Sequence, residues 1–576
     1  MRAPTLLLTA CALLFPSAAC ADEPWFVDVA EERGLPAGFA HRNVWSDLDG
    51  DGWADAVLHN ERVFLNRPDP AGGRRFVEAS GAMGALGLTP GGRRPDLLLF
   101  GDLDGDGDTD AFVGISCDPG NPKWTDDGAR SRVFLQEDGR FVPLAGSELP
   151  PEPLIAGALL DVDRDGLLDV VTGGSYVSGG LELEATPLRL WRGLGQGRLT
   201  DATEEAGLSL RREAGHLDSR RPIYGITAAD WNGDGQQDLL VCGYGRQRNL
   251  LFENRGGRFV DVGVETGFAG DADQSGAYPE ATKVWWRKRF NQERHDEPPF
   301  RANGNTFAAA PGDVNNDGHL DVFLAEITHA WAGPSSDRSS LLVNQGPPGF
   351  AFRRAVLEGR HHADPLNWNQ GDLYAAWFDA DNDGLLDLLL ASGDYPDDQR
   401  LRLFHQAQPG VLRDASGPAG LGPWDNATQI SLADYDRDGD LDVLVGNSNM
   451  RLPPEMRARR PLKVALFENR IGQRNHWLNV RLIGGENANR DALGARVTVV
   501  AGDLRLTREL SGGVGHAGQN DARELAFGLG ANARVERLEV RWPDADGSVS
   551  VFTDLPADRC VVIRQGATAV EVPGPH

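Results

Sequence analysis

The stretch Asp379-Ala-Asp-Asn-Asp-Gly-Leu-Leu-Asp387 carries carboxylates at positions 1, 3, 5 and 9 and a glycine at position 6. Six further stretches repeat the frame. The oxygen-bearing positions are Asp47, Asp49, Asp51 and Asp55; Asp102, Asp104, Asp106 and Asp110; Asp161, Asp163, Asp165 and Asp169; Asp230, Asn232, Asp234 and Asp238; Asp313, Asn315, Asp317 and Asp321; Asp379, Asp381, Asp383 and Asp387; and Asp434, Asp436, Asp438 and Asp442. Carboxylates one residue apart converge only if the chain curls around a point, and the glycine supplies the positive φ that such a curl needs. A hard cation with many oxygen ligands is the expected occupant. Ca²⁺ suits the spacing better than Mg²⁺, and the frame allows up to seven ions.

An EF-hand opens in the same way but needs a bidentate Glu at position 12 and flanking helices. Position 12 here is Leu58, Val113, Thr172, Val241, Leu324, Leu390 or Val445. The residues after position 9 also read as short buried strands, so the EF-hand is rejected.

At 576 residues the chain exceeds one ordinary core, and 71 Gly and 35 Pro punctuate short apolar runs. That pattern predicts an all-β repeat array. The formal charge of −28 argues against a nucleic-acid partner. Much of this acidity belongs to the loops themselves.

Residues 1–21 read as a secretory signal: Arg2, an apolar stretch from Leu6 to Phe15, then Ser17-Ala-Ala19. Cys20 follows at once and leaves a lipid anchor open. No later stretch reaches the ~18 apolar residues of a membrane span. The expected location is extracytoplasmic: secreted, periplasmic or at the cell surface. Cys117, Cys242 and Cys560 are too few and too distant for a disulfide framework.

Each loop is followed by an apolar strand, a Leu-Phe-x-Asn-like strand and a Phe-x-Asp-Val-like strand. The Leu-Phe-x-Asn-like strands include Phe64-Leu-Asn66, Leu251-Phe-Glu-Asn254, Leu342-Val-Asn344 and Leu466-Phe-Glu-Asn469. The Phe-x-Asp-Val-like strands include Phe76-Val-Glu, Phe259-Val-Asp-Val262 and Leu412-Arg-Asp, six copies after loops in all. The missing copy, Phe26-Val-Asp-Val29, precedes the first loop. A repeat permuted by one strand is what a ring closed by its N-terminus requires, because it leaves no open seam. The fold expected is a seven-bladed β-propeller over residues 22–474.

Residues 475–566 alternate apolar and polar at Leu478, Val480 and Leu482, at Val497 and Val499, and at Leu538, Val540 and Trp542. They predict a small β-sandwich or barrel, with 567–576 as a tail. The loops with their strands resemble FG-GAP/VCBS repeats, as in the integrin α-subunit propeller. The layout resembles the cartilage acidic protein family, whose C-terminal ASPIC/UnbV domain matches Asn475-His-Trp-Leu-Asn-Val480, Ala492-Leu-Gly-Ala495, Gly512-Gly-Val-Gly515, Phe527-Gly-Leu-Gly530 and Val540-Arg-Trp-Pro543. Two departures stand out. His516-Ala-Gly-Gln519 replaces an aromatic and Ser-Gln, and Asp544-Ala-Asp546 lengthens the Trp-Pro turn.

The long inserts all fall on the ring face opposite the metal loops: 208–222, 267–305 and 357–371 between units, and 116–132, 175–186, 328–340 and 448–462 within them. Elaborated loops on a rigid scaffold are where binding resides. Lys283-Val-Trp-Trp-Arg-Lys-Arg289 and the group Arg451, Arg457, Arg459, Arg460 and Lys463 offer an anion or carbohydrate contact; the competing reading is solvated charge over packed indoles. His216, His295, His329, His361 and His362, with Glu326, are candidates for a transition-metal or acid–base centre, whereas His41, His59 and His319 read as structural. No Gly-rich phosphate loop, Gly-x-Ser-x-Gly elbow or His-Glu-x-x-His motif occurs. The expected function is adhesion or recognition of a protein or glycan, the alternative an extracellular hydrolase or lyase.

Overall fold

A computed structural model describes residues 23–573, except 39–40, 85–92, 178–184, 210–220, 274–275, 297–303, 330–335, 358–368, 394–399, 450–451, 453 and 460–461. The signal segment and Cys20 lie outside the described residues. The chain is all-β, as expected. No helix among the described residues is long and apolar enough to cross a membrane.

Seven four-stranded antiparallel units follow one another. Unit 1 is Asn43–Ser46, Asp55–Leu58, Arg62–Pro68 and Arg74–Glu78; unit 2 is Leu97–Gly101, Asp110–Gly114, Arg132–Glu137 and Arg140–Pro143. Unit 3 is Leu154–Leu160, Asp169–Gly174, Arg189–Gly193 and Leu199–Asp201; unit 4 is Ile223–Ala229, Asp238–Gly243, Leu250–Asn254 and Phe259–Asp261. Unit 5 is Thr306–Gly312, Asp321–His329, Ser340–Asn344 and Phe352–Val356; unit 6 is Asn369–Phe378, Asp387–Ser392, Leu401–His405 and Arg413–Asp414. Unit 7 is Ala427–Ala433, Asp442–Asn447 and Val464–Asn469, completed by Phe26–Asp28 pairing with Val464–Asn469. Units 5 and 6 share one sheet because Asp321–His329 overruns its neighbours and pairs Ile327 with Gly371.

Each Asp loop joins the first and second strands of its unit, with no helix beside it. The position-6 glycines have φ between 88° and 100°. The second strands are continuously apolar because both faces are covered, each by a different neighbour. Leu239 and Val241 pack toward unit 3 while Leu240 packs toward unit 5; Leu388 and Leu390 pack toward unit 5 while Leu389 packs toward unit 7. One core lies between each successive pair of units, and a further one joins unit 7 to unit 1 through Tyr435, Leu466, Trp45 and Phe64.

A row of side-chain amides runs along the same units. A residue at or near the end of the third strand donates to the position-2 carbonyl of the preceding unit's loop and, in most copies, to a carbonyl of its own loop. Asn66 donates to Ala54 and Tyr435, Gln136 to Thr109 and Leu48, and Asn254 to Gln237 and Val162. Asn344 donates to Leu320 and Trp231, Gln406 to Leu386 and Val314, and Asn469 to Ala380. Unit 3 has Gly193 here, where a Cβ would lie 2.4 Å from the Leu168 carbonyl oxygen. Its backbone supplies the bond instead: Gly197 N–H donates to the Leu103 carbonyl at 3.1 Å.

Residues beyond 475 form two sheets. In one, His476–Ile483 lies between Leu525–Gly530 (antiparallel) and Arg559–Arg564 (parallel); the other runs Leu504–Glu509, Arg496–Ala501, Arg534–Arg541, Val549–Pro556. Leu478, Val480, Leu482, Val497, Val499, Leu538, Val540 and Trp542 all point into one core, which continues into units 2 and 3 through Leu99, Leu159 and Trp191. Cys117, Cys242 and Cys560 are buried and free.

Candidate metal loops beneath a C-terminal cap

The loop backbones are wound by their own carboxylates. In loop 379–387, Asp379 accepts the N–H groups of Asp383 (3.0 Å) and Gly384 (2.7 Å), and Asp383 accepts that of Leu385 (2.8 Å). Asp387 accepts Ala380 N–H at 3.0 Å and Gln406 N–H at 2.6 Å, fixing the loop to the third strand. Loops 161–169, 230–238 and 313–321 repeat the first pair of bonds. All seven position-9 aspartates repeat the last pair; Asp55 with Leu48 and Asn66 is one example. Position 9 is therefore a structural staple as well as a candidate ligand, a role the spacing alone did not reveal.

This winding gathers charge. Ligand atoms of Asp47, Asp49 and Asp55, of Asp102, Asp104 and Asp110, of Asp161, Asp163 and Asp169, and of Asp379, Asp381 and Asp383 lie within 4.8 Å of one another. Burial, with neighbouring carboxylates adding to it, pushes Asp161 up to about 7, Asp102 and Asp383 to about 6, and Asp436 to about 7. Burial, helped by neighbouring loop carboxylates, outweighs two backbone hydrogen bonds at Asp55 and Asp169, which rise to about 8. Oδ1 of Asp47, Asp108, Asp381, Asp434 and Asp436, and both oxygens of Asp440, are buried with no hydrogen-bond partner. Buried acceptors without donors, crowded with like charge, fit a divalent cation with oxygen ligands.

The fit is not equal in every copy. In loop 47–55, Arg67 pairs with Asp49 and, at 2.7 Å, with Asp51, while Arg481 lies 3.0 Å from Asp47. In loop 230–238, Arg541 and Arg496 both face Asp230, and Arg496 also holds Glu509 at 2.9 Å. Guanidinium groups supply positive charge at these two sites, and Arg192 lies 3.6 Å from Asp163 in loop 161–169. In loop 379–387 His405 Nδ1 lies 3.0 Å from Asp387; burial opposes its protonation, yet Asp387 and Asp381 raise it to about 9.

Arg481, Arg496 and Arg541 belong to the C-terminal sheets, which cover the metal-loop face. Further contacts are Asp102 N–H to Asp491 (2.8 Å), Asp230 N–H to Glu509 (2.8 Å), Asn475 to the Asp381 carbonyl (2.8 Å) and Asn479 to Asp434 (2.8 Å). The Gly-rich stretch 511–521 goes further, running between the innermost strands. Leu159 donates to Gly512, Gly515 exchanges bonds with Ile226, Ala517 donates to Ile155, and Leu432 donates to Asp521. The glycines are needed for this approach: a Cβ at Gly512 would lie 2.0 Å from the Leu159 oxygen, and one at Gly518 would lie 2.6 Å from Leu97 and Leu99 side-chain atoms. At its middle is His516, whose Nδ1–H donates to the Tyr224 carbonyl at 2.8 Å among Tyr224, Phe307 and Tyr374. Nothing local in the sequence announced this insertion, though the glycine density was its trace.

On the opposite face, the basic stretch is not a loop but part of a helix, Glu280–Phe290, ended by Asn291 in the left-handed region. Trp286 packs on Phe290 at 4.5 Å and under Arg294 at 4.6 Å, so this indole is a packing element. Arg287 pairs with Glu293 and Lys283 with Asp296. Arg457 donates to the Leu452 carbonyl, Lys463 sits 4.0 Å over Trp424, and Arg459 is exposed. Arg451, Arg460, His216, His361 and His362 lie outside the described residues, as does the side chain of His329; His295 is exposed. Glu326 is fully buried with Oε1 accepting from Thr306 at 2.6 Å. His41 and His59 are linked at 3.2 Å and depressed by burial and Arg neighbours; His319 packs on Phe350.

With this geometry in view, comparison with known proteins defines the class. The chain matches the FG-GAP-like repeat over 102–172, 161–241 and 379–445, and the ASPIC and UnbV model over 485–570; it carries FG-GAP-like repeats and an ASPIC/UnbV domain. It is similar to cartilage acidic protein 1 of Xenopus tropicalis, 24% identical over 499 residues that make up 79% of this chain and 63% of that one. The human protein of the same name is 24% identical over 356 residues, 60% of this chain and 43% of that one. The chain thus spans less than two-thirds of these relatives' length. Among solved structures, the exotype rhamnogalacturonan lyase YesX aligns over 89% of this chain and 80% of its own at 14% identity with a TM-score of 0.32, too distant to bear on fold or activity. The two domain types point to an extracellular recognition or adhesion-type protein.

Proposed function

We propose that the seven units close into a seven-bladed β-propeller (22–474), that its Asp loops hold Ca²⁺, and that the molecule recognises a protein or glycan outside the cell. On this reading 475–566 is a separate β domain that caps the loop face. The amide relay is the observation that carries the ring: seven position-2 carbonyls each accept a donor from the next unit, and the first unit's amide reaches back to the seventh loop. Ca²⁺, when bound, supplies the positive charge that the crowded carboxylates lack. Loops 102–110, 379–387 and 434–442 are its best sites, since guanidinium groups already serve Asp47 and Asp230 and reach Asp163. The protein's own residues do the rest. Position-1 and position-5 carboxylates wind the turn, position 9 fastens it to the third strand, and the C-terminal arginines hold the cap on.

With the loop face covered, ligand contact falls to the opposite face, where the inserts and the helix Glu280–Phe290 lie. The test is retention of extracellular glycans and proteins on the immobilised chain, with and without replacement of 280–290 by a short linker. Retention lost on replacement, with the melting curve unchanged, supports the reading. Retention that survives replacement, or turnover of a polymer substrate without retention, refutes it.

A further inference from the structure

Loop 434–442 stands apart from the other six. Its position 7 is Asp440, an acid found there in only one other copy, Asp108 of loop 102–110. Asp440 is 2% exposed, its carboxyl lies against that of Asp438, and neither of its oxygens accepts from an N–H or hydroxyl donor. Asp434 Oδ1 and Asp436 Oδ1 are buried in the same condition. Across the boundary, Asn479 of strand His476–Ile483 is fully buried; its Nδ2 donates to Asp434 Oδ2 at 2.8 Å, and its Oδ1 has no partner. Five buried, unpartnered oxygens therefore belong to this loop and to the residue bonded to it, four from the seventh unit and one from the C-terminal sheet. Neutral amides serve this loop, Gln473 on Asp438 and Asn479 on Asp434, but among the described residues no guanidinium pairs with any of its five aspartates.

We infer that a divalent cation in loop 434–442 takes Asp440 and the Asn479 amide oxygen as ligands beyond the four repeated positions, so that this one ion joins the C-terminal domain to the ring. The inference rests on the calcium reading of the loops. It divides the cap's attachments into two kinds. Arginine contacts at Asp47 and Asp230 bring their own positive charge, while the contact at Asp434 is a neutral amide bond that an ion would reinforce. Carboxylate and amide oxygens in this number match the six to eight hard ligands that Ca²⁺ takes.

The test uses the full chain, depleted with EGTA and titrated with Ca²⁺ by calorimetry, with thermal melts run in both conditions. Asp440→Asn and Asn479→Ala are each expected to weaken one Ca²⁺ site at least tenfold. Each should also lower the melting temperature more in Ca²⁺ than in EGTA, because a lost ligand matters only when the ion is present. Asn479→Asp, which trades the amide donor for a second oxygen, should be destabilised in EGTA and recover in Ca²⁺. A wild-type chain that binds no Ca²⁺ overturns the reading of all seven loops. A wild-type chain that binds several ions, with variants that titrate like it or melt lower by the same amount in both conditions, overturns this assignment alone.

Discussion

Replacing Asn344 with Ala probes the amide relay where its energetics are clearest. Asn344 is 1% exposed; its Nδ2 donates to the Trp231 carbonyl at 3.0 Å and to the Leu320 carbonyl at 3.2 Å, and its Oδ1 accepts Gly346 N–H at 3.0 Å. Alanine leaves two buried carbonyls without this donor. Each such loss costs about 1–3 kcal/mol, so the variant should be destabilised by about 2–6 kcal/mol. That is a large share of the ~5–15 kcal/mol that separates a folded domain from its unfolded chain. Chemical denaturation should show a lower midpoint with little change in slope.

Two companions sharpen the test. Asn344→Gln keeps the amide, and glutamine already does this work at Gln136 and Gln406, so it should recover most of the loss. Gly193→Asn would appear to complete the relay in unit 3, yet its Cβ would meet the Leu168 oxygen at 2.4 Å, so it should destabilise. An Asn344→Ala variant within about 0.5 kcal/mol of wild type, a value typical of surface changes, would refute the relay as a source of stability. So would a glutamine variant as damaged as the alanine.

Calcium removal should lower the thermal midpoint, each loop losing about 1.4 kcal/mol if Ca²⁺ had stood at ten times its Kd; an unchanged melt in EGTA contradicts cation binding. Gly439→Ala should be far more harmful than Gly50→Ala: both have positive φ, but a Cβ at Gly439 would lie 1.9 Å from the Trp477 indole whereas Gly50 has open space, and comparable melts would count against the cap's seat on loop 434–442. His516 is held down to about 3 by burial and then by Arg42, so it stays neutral in the fold while the unfolded chain protonates near 6.5. Its contribution is complete above that pH and is lost as pH falls toward 3; His516→Gln should reduce the pH slope of stability between 6 and 4 by about 1.4 kcal/mol per unit, and an unaltered slope denies the histidine a buried seat. Arg541→Met should destabilise by about 1–3 kcal/mol by leaving buried Asp230 with Arg496 alone, and a neutral effect in denaturation would show that the contact is idle.

What could be read from the sequence was whatever repeats within one unit. Position 1 to position 9 spans nine residues, and the strands after it follow at short range, so seven copies wrote the same local rule seven times. The relay was visible only as letters. Asn66 ends a recognisable Phe-Leu-Asn, but its partner Tyr435 lies 369 residues away, and no local pattern joins them. The cap was further from view. Arg481, Arg496 and Arg541 sit in strands that read only as alternating polarity, and nothing near them says that they face Asp47 and Asp230. The helix Glu280–Phe290 was missed because its tryptophans and cations show no clean apolar stripe. The differences among copies carry the remaining information. Asn232, Asp108 and Asp440 look like drift when the loops are compared with one another. Set beside the C-terminal sheets, Asn232 belongs to a loop served by guanidinium and Asp440 to one with none. Seven equivalent turns face a cap that has no sevenfold symmetry, so contacts with it must differ from loop to loop. The departures from the repeat are therefore where each loop answers the part of the cap lying over it.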